Sequence, residues 1–140
     1  MVDAGAPPYV DGMEGTARGD LVVEAVEIAE SFLRLGQELD PFMITDRWGD
    51  RRVEEFGRED LEGARARLLE FLRTAAGEED CALAYLGHVE HQEAIVIEHG
   101  KAGRPEAEVL VQRFRPRRGP LRSFKLVGEP TPVGQLDPVR

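Results

Sequence analysis

Cysteine is almost absent from this chain. Cys81 stands alone among 140 residues, which excludes an intramolecular disulfide framework and makes a reducing compartment the expectation. Long apolar runs are missing too. With no stretch of about 18 apolar residues, no membrane-spanning helix is expected. The opening "MVDAGAPPYVDGMEGTARGD" holds acids and no apolar centre, unlike a secretory signal. A cytoplasmic location without a membrane partner follows as the expectation. Lysine is scarce: 16 of the 18 basic residues are arginine. With so much Ala, Gly, Val and Glu, that usage points to a GC-rich bacterial genome rather than to an activity.

What remains describes an ordinary globule, with hydrophobic residues at 41% and charged residues at 32%. The length suits one domain that buries roughly two thirds of its unfolded surface. The net charge of -9 is unevenly spread, with -14 on residues 1–100 and +5 on residues 101–140. An acidic body repels nucleic acid and anionic lipid, so only the last third is suited to either.

Residues 1–19 read as a disordered N-terminal segment, rich in Gly and Pro and without apolar period. From Asp20, a favourable N-cap, apolar residues recur with helical spacing at Leu21, Val22, Ala25, Ile28, Ala29, Phe32 and Leu33, and Gly36 is expected either to close the helix or to lie in its last turn. Val23, Val26 and Leu35 widen the stripe beyond one packing face, so Val23 and Val26 become candidates for a protein interface. Pro41 breaks the pattern. "FMIT" and "RRVEEF" then flank "DRWGD", a hairpin whose Gly49 supplies a positive φ. "EDLEGARARLLEFLRTAAG" predicts a second helix, with Glu59 and Asp60 at its N-terminal end and Gly77 as its C-cap. The period then becomes two in "CALAYLGHV", "EAIVIEH", "EAEVLVQRFR" and "RSFKLVG", four strands of an antiparallel meander.

The expected fold is therefore α+β. It is an antiparallel sheet of about five or six strands packed against two helices, in the order α-β-β-α-β-β-β-β, with helices covering one face. Residues 20–128 form the single domain and 129–140 an extended C-terminal tail. The segments "ALAYLGHV", "QRFRP" and "RGPLRSFKLVGEP", within residues 82–130, resemble small bacterial proteins that share an alanine-rich strand, a Q-R-[FY]-R-P strand end and a closing G-x-P. The resemblance implies an α+β fold and supplies no activity, cofactor or site.

Three constellations bear on function. "HVEHQE" offers His88, Glu90, His91 and Glu93 as ligands for a divalent metal or as acid–base groups. On a strand, however, His88 and Glu90 face away from His91 and Glu93, and a turn tip lacks the supporting shell that ligands need. His99 lies too far along the next strand to complete a site. A polar hairpin tip is the preferred reading, with no metal and no cofactor expected. Cys81 follows the acidic "GEED", which raises a thiol pKa, so it reads as structural. No G-x-x-x-x-G-K-[ST] phosphate loop occurs.

Arg113, Arg115, Arg117, Arg118 and Arg122 form the second constellation, an anion-binding patch for nucleic acid or a phosphorylated ligand. The competing reading is internal pairing with Glu90, Glu93, Glu98, Glu106 and Glu108, and it is preferred because acids outnumber bases. Trp48 is the third. It sits at a hairpin tip beside Arg47, Arg51 and Arg52, either as an interface anchor or folded back as a lid over the sheet edge or the second helix. The leading expectation is a non-catalytic interaction module that binds a protein partner or self-associates. Nucleic-acid or phosphate binding through residues 113–122 is the alternative, and a metal-assisted or acid–base enzyme around His88, Glu90 and His91 is the further one.

Overall fold

The computed structural model of the chain describes residues 16–115 and 124–133, with side chains from residue 21 onward. The elements are α1 (Thr16–Arg34), β1 (Phe42–Arg47), β2 (Asp50–Glu55), α2 (Leu61–Thr74), β3 (Asp80–Val89), β4 (Gln92–Lys101), β5 (Glu108–Arg115) and β6 (Lys125–Pro132). All six strands join one antiparallel sheet in the order β2-β1-β3-β4-β5-β6. The fold is α+β, in the element order that the sequence pattern predicts.

Alternation along the strands sorts their side chains onto two faces. One face brings Phe42, Ile44, Ala82, Ala84, Ile95 and Ile97 under Leu21, Val22, Ala25, Val26 and Ala29 of α1. The other brings Met43, Cys81, Leu83, Tyr85 and Val96 under Ala64, Leu68 and Phe71 of α2. The helices thus cover opposite faces, not the single face expected. The reason lies in the middle of the sheet. β3 and β4 carry unbroken apolar runs, Cys81–Tyr85 and Ala94–Ile97, all buried, and a strand that is apolar on both faces needs cover on both.

Local chemistry sets the helix ends. α1 begins at Thr16, ahead of the expected Asp20 cap. Its C-terminus is closed by Gly36 at φ 77, with Gly36 N–H donating to Leu33 O at 3.0 Å and Gln37 N–H to Phe32 O at 2.9 Å, the paired bonds of a Schellman motif. Asp60 caps α2 by accepting the Gly63 N–H at 3.2 Å. Gly77 is not the C-cap. Ala75 holds that position in extended geometry, and Gly77 lies in the following turn.

β6 continues through Pro132, beyond the point where the alternating pattern fails at Gly128. A register irregularity between Val111 and Arg113 lets it do so. There the buried Gln112 side chain donates to the carbonyls of Arg113, Val127 and Gly128 at 2.9, 3.3 and 3.1 Å, standing in for the missing ladder bonds.

Candidate interaction surface

The β1–β2 hairpin turns on Trp48 at φ 59 and Gly49 at φ 85, two consecutive left-handed residues as a two-residue hairpin loop requires. Asp46 accepts the Gly49 N–H and the Arg51 Nε–H, each at 2.9 Å, and Arg51 also reaches Glu24 of α1. Burial alone would lower the pKa of Arg51, but the hydrogen bonds and charges of Asp46 and Glu24 outweigh it and raise it. On the opposite face, Arg47 lies 4.6 Å over the Phe71 ring and pairs with Glu79 at 2.8 Å. Glu79 also accepts the Ala76 N–H at 3.0 Å. Both helical neighbours therefore hold the hairpin.

Trp48 is 76% exposed. Its ring nonetheless leans on the α2–β3 turn, where a Cβ added to Gly77 would lie 2.9 Å from Trp48 Cη2. The ring is thus folded back at one edge and open at the other. The two valines offered for an interface separate. Val23 is 50% exposed on the outer side of α1, whereas Val26, at 6%, belongs to the chain's own core.

The hairpin borders two clefts. One, of about 360 Å³, lies between β1, β2 and α2, and the Arg67–Glu54 ion pair at 2.8 Å lies along its wall. The other, of about 90 Å³, lies on the α1 face, with Ile28, Phe32, Phe42 and Val53 as its apolar lining and Glu38, Asp40 and Glu55 as an acidic rim.

On β5, Arg113 and Arg115 share the face of Val109 and Val111, as alternation predicts. Arg113 Nη2 lies 3.4 Å from Glu90 Oε1 at the β3–β4 turn, and Arg115 has an interaction of its own. Arg117, Arg118 and Arg122 lie outside the described residues. Glu98 turns to α2 instead of β5, where Arg65 holds it at 3.0 Å.

The His/Glu hairpin is laid out by its turn. Glu90 at φ 55 and His91 at φ 71 form the exposed tip, while His88 and Glu93 stand opposite each other in register behind it. Among the described residues no group of three or more His, Cys, Asp or Glu is placed to hold a metal ion. His99 is buried at the far end of β4, 2.9 Å from Asp80.

Sequence reasoning missed two buried polar groups. In one, the Tyr85 hydroxyl donates to Glu98 while Arg65 donates to the Tyr85 oxygen at 2.7 Å and from Nε to Glu98 at 3.1 Å. Burial, then the Glu98 charge, pushes the tyrosine pKa up. Burial works to lower the Arg65 pKa, but Glu98 and Tyr85 more than reverse it. The other is His99–Asp80. A usable signal was present in "AIVIEHG", because Glu98 and His99 inside an apolar strand require partners. Cys81 is buried, and burial pushes its thiol up to about 12. No helix among the described residues is long and apolar enough to cross a membrane.

Comparison with family models, with characterised proteins and with solved structures yields no match.

Proposed function

We propose that this chain is a non-catalytic interaction module that recognises a protein partner or a second copy of itself through the β1–β2 hairpin. The observation that carries the reading is the coincidence, on one hairpin, of Trp48 at 76% exposure, the half-exposed Val53 and an outer strand at the sheet's edge. A rigid amphipathic tryptophan ring is the kind of side chain that concentrates binding energy in protein interfaces. The buried polar groups, by contrast, are turned toward one another: His99 to Asp80, and Tyr85 to Glu98 and Arg65. That arrangement fits a role in holding α2 and the central strands together.

The anion-binding reading of the arginine strand has less support, since Arg113 already faces Glu90. It requires binding that weakens steeply with salt.

Trp48 is the sole tryptophan, so its fluorescence reports directly on the hairpin. Docking there shifts its emission to shorter wavelength as the indole leaves water. Replacing Trp48 by Ala is expected to weaken association by at least about tenfold, the scale of an interface anchor. Unchanged emission and unchanged affinity in the W48A variant, for whatever species the chain binds, would overturn the assignment of the hairpin.

A further inference from the structure

We infer that β2 is a self-complementary edge, built to pair antiparallel with β2 of a second copy about a two-fold axis at Val53, so that the two sheets become one. This rests on the interaction-module reading and names the partner.

The hydrogen-bonding parity of β2 is fixed by its neighbour. Phe56 N–H donates to Pro41 O at 2.9 Å, and alternate residues of an antiparallel strand point their backbone groups the same way. Asp50, Arg52 and Glu54 therefore direct N–H and C=O toward β1, and Arg51, Val53 and Glu55 direct theirs outward. β2 is terminal in the sheet, so among the described residues those outward groups have no strand beside them. An edge of this kind is a template for another strand. The opposite edge differs. β6 carries Pro130 and Pro132, which lack the N–H a pairing strand would use.

Outward-facing residues must meet outward-facing residues, which leaves three registers near the strand centre. Centred on Arg52, pairing opposes Arg52 to itself and Asp50 to Glu54. Centred on Glu54, it opposes Glu54 to itself. Centred on Val53, it places Arg51 opposite Glu55 of the second copy and Arg52 opposite Glu54, with valine against valine. The two-fold repeats each unlike pair. Like charges directly opposite are repulsive and unlike charges attractive, so the run Arg51-Arg52-Val53-Glu54-Glu55 selects the third register.

Charges on an edge strand ordinarily oppose pairing. In this order they oppose other strands and favour the same strand reversed. The rest of the surface is compatible. α1 and α2 lie mainly over β3, β4 and β1, from opposite faces, so neither helix occupies the line where a second β2 would lie. Arg51 of the second copy would arrive beside Glu55, on the acidic rim that Glu38 and Asp40 complete. The two Val53 side chains would join the paired apolar clefts across the axis.

Sedimentation equilibrium on the full chain tests this, with circular dichroism confirming that each variant folds. Wild type is expected to dimerise reversibly, and more weakly as salt rises. Arg52→Glu and Glu54→Arg each place like charges opposite one another twice and are expected to weaken the dimer at least about tenfold. Mixed in equal amounts, these two variants restore unlike pairs and are expected to associate with each other. Val53→Pro removes an outward N–H without changing charge and is expected to give a folded monomer. If wild type dimerises but all three variants dimerise equally well, the β2 edge is overturned while self-association stands. A wild-type chain that is monomeric at millimolar concentration overturns the dimer itself, and the Trp48 fluorescence and affinity tests then decide whether the hairpin serves a different partner.

Discussion

Tyr85, Glu98 and Arg65 show how single residues on this sheet are chosen in sets. A carboxylate on a buried strand face demands donors, and the tyrosine hydroxyl and the guanidinium of α2 both supply them. Tyr85→Phe removes one donor and leaves Glu98 to Arg65 alone. Chemical denaturation is expected to show a loss of about 1–3 kcal/mol, the range for stranding a buried polar partner. Cys81 makes a different statement. Its thiol, pushed up to about 12 by burial, stays predominantly neutral in the folded state over the range where an unfolded thiol, with its value of about 9, ionises. A raised acid pKa in the folded state contributes stability that is complete below 9 and is lost as pH climbs toward 12. Two readouts check this: native Cys81 should resist alkylation at pH 8 until denaturant is added, and the unfolding midpoint should fall as pH rises through 9–12. Ready alkylation of the folded chain would contradict the buried thiol.

Elements were legible where their period was strong. α2 has an uninterrupted apolar stripe and an acidic start, and it spans Leu61–Thr74 with Asp60 as its cap. The start of α1 was not legible, because "TARG" adds about one turn of backbone whose single apolar residue, Ala17, is too small to extend the stripe. β6 was underestimated for a related reason: the irregular pairing near Gly128 interrupts its alternation, and Gln112 repairs the ladder from the neighbouring strand. The role of Gly100 was also out of reach, since it depends on a helix distant in sequence. α2 sits so close to β4 that a Cβ on Gly100 would meet Leu72 Cδ2 at 2.9 Å and Leu68 Cδ1 at 3.3 Å. Gly100→Ala must displace the ends of the Leu72 and Leu68 side chains or the Cys81 thiol and is expected to cost about 1 kcal/mol, the low end for overpacking. Thermal unfolding measures it, and a variant as stable as wild type would show that α2 does not rest on that glycine.

At the scale of the whole molecule, the chain builds a sheet sealed by a helix on each side and leaves its two edges unequal. The α+β class and the element order followed from periodicity. Placement of both helices on one face did not hold, although the unbroken runs Cys81–Tyr85 and Ala94–Ile97 already signalled strands buried on both sides. The candidate surface was legible in part. Trp48 at a hairpin tip could be read directly, whereas the edge position of β2, and with it the charge order of Arg51 to Glu55, acquires meaning only once sheet order is known. Whether β2 is the recognition edge is tested most directly by amide hydrogen exchange at residue resolution across a dilution series. Protection of the Arg51, Val53 and Glu55 amides should rise with concentration while the β6 amides stay unchanged. Fast exchange at those three positions in samples where dimer predominates would contradict it.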